Sequence, residues 1–260
     1  MKIDLMDSTL RDGGYINDWN FGRDAIQGIR VKLAKAGLKY IEIGFIKGNI
    51  PGNVFSEDRT MYPDIRCIAD VIAPKEPDVT YVGMLDMNAP ISYDDIVPCD
   101  GSSVDALRVI FKKNKMQEGY DCCKYCRDQG YKVFVQPVGT DNYSDKEFIE
   151  LIEKFNDLEP YAFYIVDSFG LIKRKQFLRL MYLADNNLCR TSKIGYHSHN
   201  NLQQAFGNAE SAAEMSLSHD LILDACVFGM GRGAGNLNME LFAEYLNENC
   251  GAHYRLEPML

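Results

Sequence analysis

The sequence has no apolar run long enough to cross a bilayer, so no membrane-spanning helix is expected. Its first residues, MKIDLMDSTLRDGG, lack the apolar stretch of a secretory signal. Positive charge is in deficit: 28 Lys and Arg against 37 Asp and Glu leave a net charge of −9 and a pI near 5.0. That argues against nucleic acid or an anionic membrane surface as partner, while allowing a local anion site. Linkers, charge blocks and low-complexity segments are absent. Eight cysteines look like a disulfide supply, but a 260-residue chain that is 46% hydrophobic can bury a core without staples. One CxxC lies in Cys122-Cys123-x-x-Cys126, with no second pair spaced for zinc. These read as buried free thiols on a helix, and Cys67, Cys99, Cys189, Cys226 and Cys250 show no pattern. A reducing cytoplasm is the expected compartment.

What remains is a regular alternation. Eight short apolar runs, at 3–6, 40–45, 79–85, 106–111, 132–138, 162–166, 193–196 and 221–228, are continuous and β-rich. Parallel strands buried on both faces read this way. Between them, helices are expected at 25–36, 121–129, 145–155, 173–187, 202–217 and 239–249. Gly37 and Gly130 supply C-terminal stops, and Ser144 with Glu147 resembles a capping box. Eight strands alternating with helices in one 260-residue unit predict a single-domain α/β fold, a (β/α)₈ TIM barrel. The long connections 47–58 and 88–103 suggest lids.

In such a barrel the site lies at the C-terminal strand ends. Those ends carry Asp7-Ser8-Thr9-Leu10-Arg11-Asp12-Gly13-Gly14, Glu42-Ile43-Gly44, Asp86, Arg108, Gln136, Asp167-Ser168 and His197-Ser198-His199-Asn200-Asn201. So many polar groups converging on one face are hard to explain as packing. His197 and His199 are two apart on a strand and point to one side, where they can share a metal. Solvent-facing or core histidines are the competing reading for an isolated pair, but this one ends a barrel strand. His219 and His253 read as surface residues. A divalent ion would want a carboxylate as well, for which Asp12 is the best candidate. Arg11 beside it needs an anionic partner, with Glu42 the expected one. Such a set suits a Lewis acid that binds a 2-keto acid and stabilises an enolate. Gly229-Met230-Gly231-Arg232-Gly233-Ala234 matches a dinucleotide fingerprint only superficially, since no second βα half follows; it reads as a tight turn that approaches a ligand.

These motifs resemble the DRE-TIM metallolyase superfamily. They are Asp7-x-Thr9-Leu10-Arg11-Asp12-Gly13, Glu42-x-Gly44, Asp167-Ser168-x-Gly170 and His197-x-His199-Asn200-Asn201, taken with the glycine run ending at Asn236. The 4-hydroxy-2-oxovalerate aldolase branch is the nearest in pattern. The resemblance implies that Asp12, His197 and His199 hold Mn²⁺ or Mg²⁺, that Arg11 binds the keto oxygen, and that Glu42 holds Arg11. It implies that Ser168 contacts the substrate carboxylate. The implied reaction is reversible aldol cleavage of a 4-hydroxy-2-oxo acid to pyruvate and an aldehyde. Arg108 and Gln136 are further candidates for substrate contact; for Arg108, pairing with Asp86 or Asp167 is an equal alternative.

Two departures from that branch stand out. A histidine three residues after the metal Asp is replaced by Tyr15, whose ordinary pKa of ~10 makes it a poor base at neutral pH. It is read as occupying the position of that histidine, with a role as proton donor open to it. The aldolases also carry a C-terminal helical region that docks an aldehyde dehydrogenase, whereas this sequence stops at Leu260. That region is either absent or beyond the piece of chain in hand, and a dehydrogenase partner is not expected; a homodimer is the default assembly. An acyl-CoA lyase or Claisen-type synthase is one rival, opposed by the lack of a basic patch and by a glycine loop without Cys. An amidohydrolase-type site is opposed by a His pair on the seventh strand rather than the first. A barrel that binds a keto acid without turnover is the third.

Overall fold

The structure is a computed structural model that describes residues 1–48, 53–87 and 91–260. Eight parallel strands close into a barrel: β1 (Ile3–Asp7), β2 (Tyr40–Ile46), β4 (Thr80–Asp86), β5 (Ala106–Phe111), β6 (Lys132–Pro137), β7 (Ala162–Asp167), β8 (Lys193–Ser198) and β9 (Leu221–Ala225). Each pairs with its neighbour, and β1 closes the ring by pairing with both β9 and β2. The (β/α)₈ barrel expected from the sequence is the observed fold.

The eight expected strands are all present. A two-residue strand, β3 (Met61–Tyr62), adds to the outer end of β2 and was not foreseen. The eighth run, expected to reach residue 228, leaves the sheet at Ala225 and continues into a 3₁₀ turn, Val227–Gly229.

Helix α1 (Thr9–Asp12) is a single turn. The longer helices are α2 (Arg23–Ala36), α3 (Arg66–Ile72), α4 (Met116–Asp128), α5 (Asp145–Asn156), α6 (Arg174–Asn187), α7 (Ala205–Glu214) and α8 (Met239–Asn249). Gly37 ends α2 at φ +96°, and Ser144 and Glu147 form a reciprocal capping box on α5. Helix α3 carries no cap signal and was missed. Between β4 and β5 only the 3₁₀ turn Tyr93–Asp95 is helical among the described residues. Of the two suspected lids, residues 49–52 and 88–90 lie outside the described residues.

The core has two layers. Leu5, Ile41, Leu107, Val109, Val135, Phe163, Ile165 and Leu223 face outward to the helices. Met6, Tyr40, Val82, Ala106, Phe134, Ala162, Tyr164 and Ile222 plug the barrel interior. Because side chains alternate along a strand, the residue two positions beyond an inward one also points inward. Two residues past Tyr40, Ala106, Phe134 and Ile222 come Glu42, Arg108, Gln136 and Asp224, all buried. The period of two therefore stacks a charged layer directly on the apolar plug. His219 is a correction to the sequence reading: it is 2% exposed, with Nδ1 2.8 Å from Asp185 Oδ1, whereas His253 is exposed. Asp185 on α6 gives it a part-buried partner that no sequence pattern advertises.

Candidate metal centre and its charged layer

Asp12, His197 and His199 are all buried, and each offers a ligand atom within 4.8 Å of the others. Strand β8 carries His197, His199 follows directly after its last residue and bridges to Asn236, and α1 turns Asp12 back over the barrel mouth. His197 Nδ1 lies 2.9 Å from Asp224 Oδ2, which leaves Nε2 as its free ring nitrogen. His199 Nδ1 lies 3.7 Å from Asp12 Oδ2 and has no hydrogen-bond partner. Asn236 donates its amide to Asp12 Oδ2, while its own buried Oδ1 has no partner. Two imidazoles and a carboxylate on one spot are a donor set that fits a divalent ion.

Electrostatics keeps Asp12 and His199 in their binding forms. Burial raises the Asp12 carboxyl, but Arg11, His199 and His197 outweigh it and bring it down to about 2. Burial, against the pull of Asp12, pushes the His199 imidazole down to about 4. At neutral pH the pair is carboxylate and neutral imidazole.

Beneath the donors, charges from five chain segments join in series. Arg11 Nη1 is 2.5 Å from Asp12 Oδ1, and Arg11 Nε donates to Glu42 Oε2 at 2.9 Å. Arg108 Nη1 donates to the same Glu42 oxygen at 2.9 Å, and Arg108 Nη2 lies 2.5 Å from Asp224 Oδ2. Asp224 then meets His197. The series runs from Asp12 to His197, and only the donor site separates its two ends. Burial lowers the Arg11 guanidinium, but Glu42 and Asp12 reverse that and hold it above its ordinary value. Arg11 Nη2 is buried and has no partner, so one guanidinium nitrogen remains free at the site.

The other sequence candidates fall in two places. Arg108 and Gln136 lie below the mouth, 0% and 1% exposed. Gln136 turns its amide oxygen to Arg108 Nε at 2.7 Å, and Arg108 packs over the Tyr164 ring. Arg108 thus braces Glu42 and Asp224 from beneath, because the inward alternation of β5 carries it into the interior. Ser168 and Tyr15 lie at the rim. Ser168 Oγ accepts the Gly139 N–H at 3.0 Å, leaving its own hydrogen free to donate. Tyr15 is 45% exposed and meets Trp19 edge-on at 4.8 Å; Trp19 donates to the Arg11 carbonyl at 2.7 Å. Phe45 completes this wall, and Lys47 lies over Phe45 while pairing with Asp86 at 2.9 Å. Asp167 is a loop anchor, accepting from Leu171 N and Ile172 N at 2.8 and 3.0 Å. The CxxC thiols are buried on α4, and all eight cysteines are free.

Residues 106–256, more than half of the chain, match the sequence profile described as HMGL-like. The chain belongs to the HMGL-like family. A 4-hydroxy-2-oxovalerate aldolase of Roseiflexus castenholzii is 27% identical over 247 residues, which cover 94% of this chain and 70% of that protein. An oxaloacetate decarboxylase of Mycobacterium tuberculosis is 25% identical over 239 residues, covering 91% of this chain and 67% of that protein. The HMG-CoA lyase structure from Brucella melitensis superposes with a TM-score of 0.74 at 16% identity, over 99% of this chain and 95% of that one. At that identity the structural likeness shows the fold alone. The DRE-TIM resemblance drawn from the strand-end motifs is thereby upheld for this HMGL-like chain. Asp224 is the part of the centre that the motifs did not single out; Asn236 closed the glycine motif without a role assigned to it.

Proposed function

We propose that this HMGL-like barrel is a carbon–carbon lyase that handles a 2-keto acid through its enolate. Its reaction, on this reading, is reversible aldol cleavage of a 4-hydroxy-2-oxo acid to pyruvate and an aldehyde. The observation that carries the proposal is the free, buried Arg11 Nη2 beside the Asp12, His197 and His199 donors. A guanidinium nitrogen kept dry and unpaired needs an acceptor, and a keto oxygen gaining negative charge is one. A bound Mn²⁺ or Mg²⁺ would polarise the same oxygen as a Lewis acid.

The chain's own residues divide the remaining work. Glu42 and Asp12 hold Arg11 in one orientation, so little reorganisation accompanies charge development. Ser168 directs its free hydrogen to the keto-acid carboxylate. Tyr15 stands at the mouth, on the side where the aldehyde portion would leave, and gives or takes the proton of its hydroxyl there. The aldolase named among the relatives agrees with this reading.

The test is solvent exchange at the methyl group of pyruvate, followed by proton NMR in D₂O with added Mg²⁺ or Mn²⁺. Metal-dependent exchange that disappears in His199→Ala is the expected result. Bound metal without exchange would overturn the enolate reading and leave a barrel that binds without turnover.

A further inference from the structure

The charged series at the centre has a definite balance. It holds three carboxylates, Asp12, Glu42 and Asp224, and two guanidiniums, Arg11 and Arg108. A divalent ion would leave it with one positive charge, which a single keto-acid carboxylate cancels. At this mouth Lys47 is already paired with Asp86, and a further cation stands there as well. Arg232 sits in the glycine loop after β9, its side chain exposed and joined to no carboxylate by an ion pair among the described residues.

The loop fixes where that cation is. A Cβ on Gly231 would come within 2.9 Å of Asp12 Oδ2, and one on Gly233 within 2.6 Å of Asn201 Oδ1. Arg232 therefore follows a glycine pressed against a donor carboxylate and precedes one pressed against Asn201, in the loop after the second histidine. Its guanidinium lies 5.9 Å over the ring of Phe169, the neighbour of Ser168. In a chain of net charge −9, an arginine left without a carboxylate above a keto-acid site is poised for an incoming anion.

We propose that Arg232 binds a second negative group of the substrate, a carboxylate or phosphate beyond the keto acid, so that the substrate is at least dianionic. This rests on the keto-acid reading above, and the experiment separates the two. The probes are 2-oxobutyrate, 2-oxoglutarate and phosphonopyruvate, with glutarate as the acid that lacks a keto oxygen. Their affinities are measured by calorimetry on Mn²⁺-loaded wild type, Arg232→Gln and Arg232→Lys. Wild type should bind one or both of the doubly charged keto acids at least tenfold more tightly than 2-oxobutyrate. Whether 2-oxoglutarate or phosphonopyruvate gains more distinguishes carboxylate from phosphate. Arg232→Gln should abolish that advantage and leave 2-oxobutyrate within about twofold, with Arg232→Lys in between. Equal preferences in wild type and Arg232→Gln overturn the proposal, as does an equal loss for 2-oxobutyrate, which would place Arg232 on the shared carboxylate. If glutarate binds as well as 2-oxoglutarate and both depend on Arg232, the anion site stands and the keto-acid reading falls.

Discussion

Asp224 Oδ2 holds His197 Nδ1 at 2.9 Å while the same oxygen lies 2.5 Å from Arg108 Nη2. One carboxylate oxygen thus orients a candidate metal-donor imidazole and neutralises a guanidinium that is wholly buried. Burial raises Asp224, but Arg108 and His197 reverse this and keep it below the usual carboxylate range. Asp224→Asn should weaken Mn²⁺ binding about 10- to 100-fold, the usual loss when the partner of a ligand histidine is changed. Titration calorimetry on the folded variant measures it. Unchanged affinity would show that His197 needs no such anchor.

Arg11 makes contact with Asp12 through Nη1 and Glu42 through Nε, with Nη2 to spare. An ammonium has no planar fork with which to do all three. Arg11→Lys should keep the fold, since Glu42 retains Arg108, but lower pyruvate methyl exchange by ~10²–10³-fold. Exchange within threefold of wild type would remove Arg11 from the reaction.

Tyr15 is at the rim and packs on Trp19, outside the buried charged series. On the proposed reading its hydroxyl serves the aldehyde portion rather than the pyruvate methyl. Tyr15→Phe is expected to leave methyl exchange within about twofold and to slow cleavage of a 4-hydroxy-2-oxo acid about tenfold or more. Stability should change by less than ~0.5 kcal/mol at so exposed a hydroxyl. Full cleavage activity in the variant would end any catalytic role for Tyr15.

Asp7 is fully buried; Oδ1 accepts the backbone N–H of Thr9 and Oδ2 has no partner. Burial pushes its carboxyl up to about 7. A group that holds its proton more tightly folded than unfolded stabilises the fold at low pH. That contribution is complete below about 4 and is lost as pH rises through about 7. Asp7→Asn keeps the acceptor and cannot ionise, so its Tm relative to wild type should rise between pH 5 and pH 8. At ~1.4 kcal/mol per pKa unit the gain is of the order of a few kcal/mol. A difference in Tm that does not vary with pH would contradict the shift.

Much of the fold was legible because its strands are buried on both faces and so read as apolar runs. Asp12, His197 and His199 were legible because they close such runs, where packing has no use for them. Asp224 was hidden by the same logic. It stands fourth in Leu-Ile-Leu-Asp-Ala, and a lone charge inside an apolar strand was the available signal. Asn236 was legible as the end of the glycine motif, but its contact with Asp12 was not, because the two are 224 residues apart and meet only in the folded barrel. Arg108 was legible as a strand-end charge, but its partners were not, because Glu42 and Asp224 meet it only once the barrel closes. Helix α3 begins without a side-chain cap and β3 is two residues long, so neither carries a periodic signature.

The alternation that places Glu42, Arg108 and Asp224 in one layer also constrains how the barrel can assemble. A slip of β5 by one residue would turn Leu107 into the charged layer and send Arg108 toward the helices, away from Glu42 and Asp224. Apolar neighbours tolerate such an exchange of one aliphatic for another; a buried guanidinium does not. The reactive end of the barrel therefore acts as a key for strand alignment, and closing the ring in any other register forfeits its ion pairs.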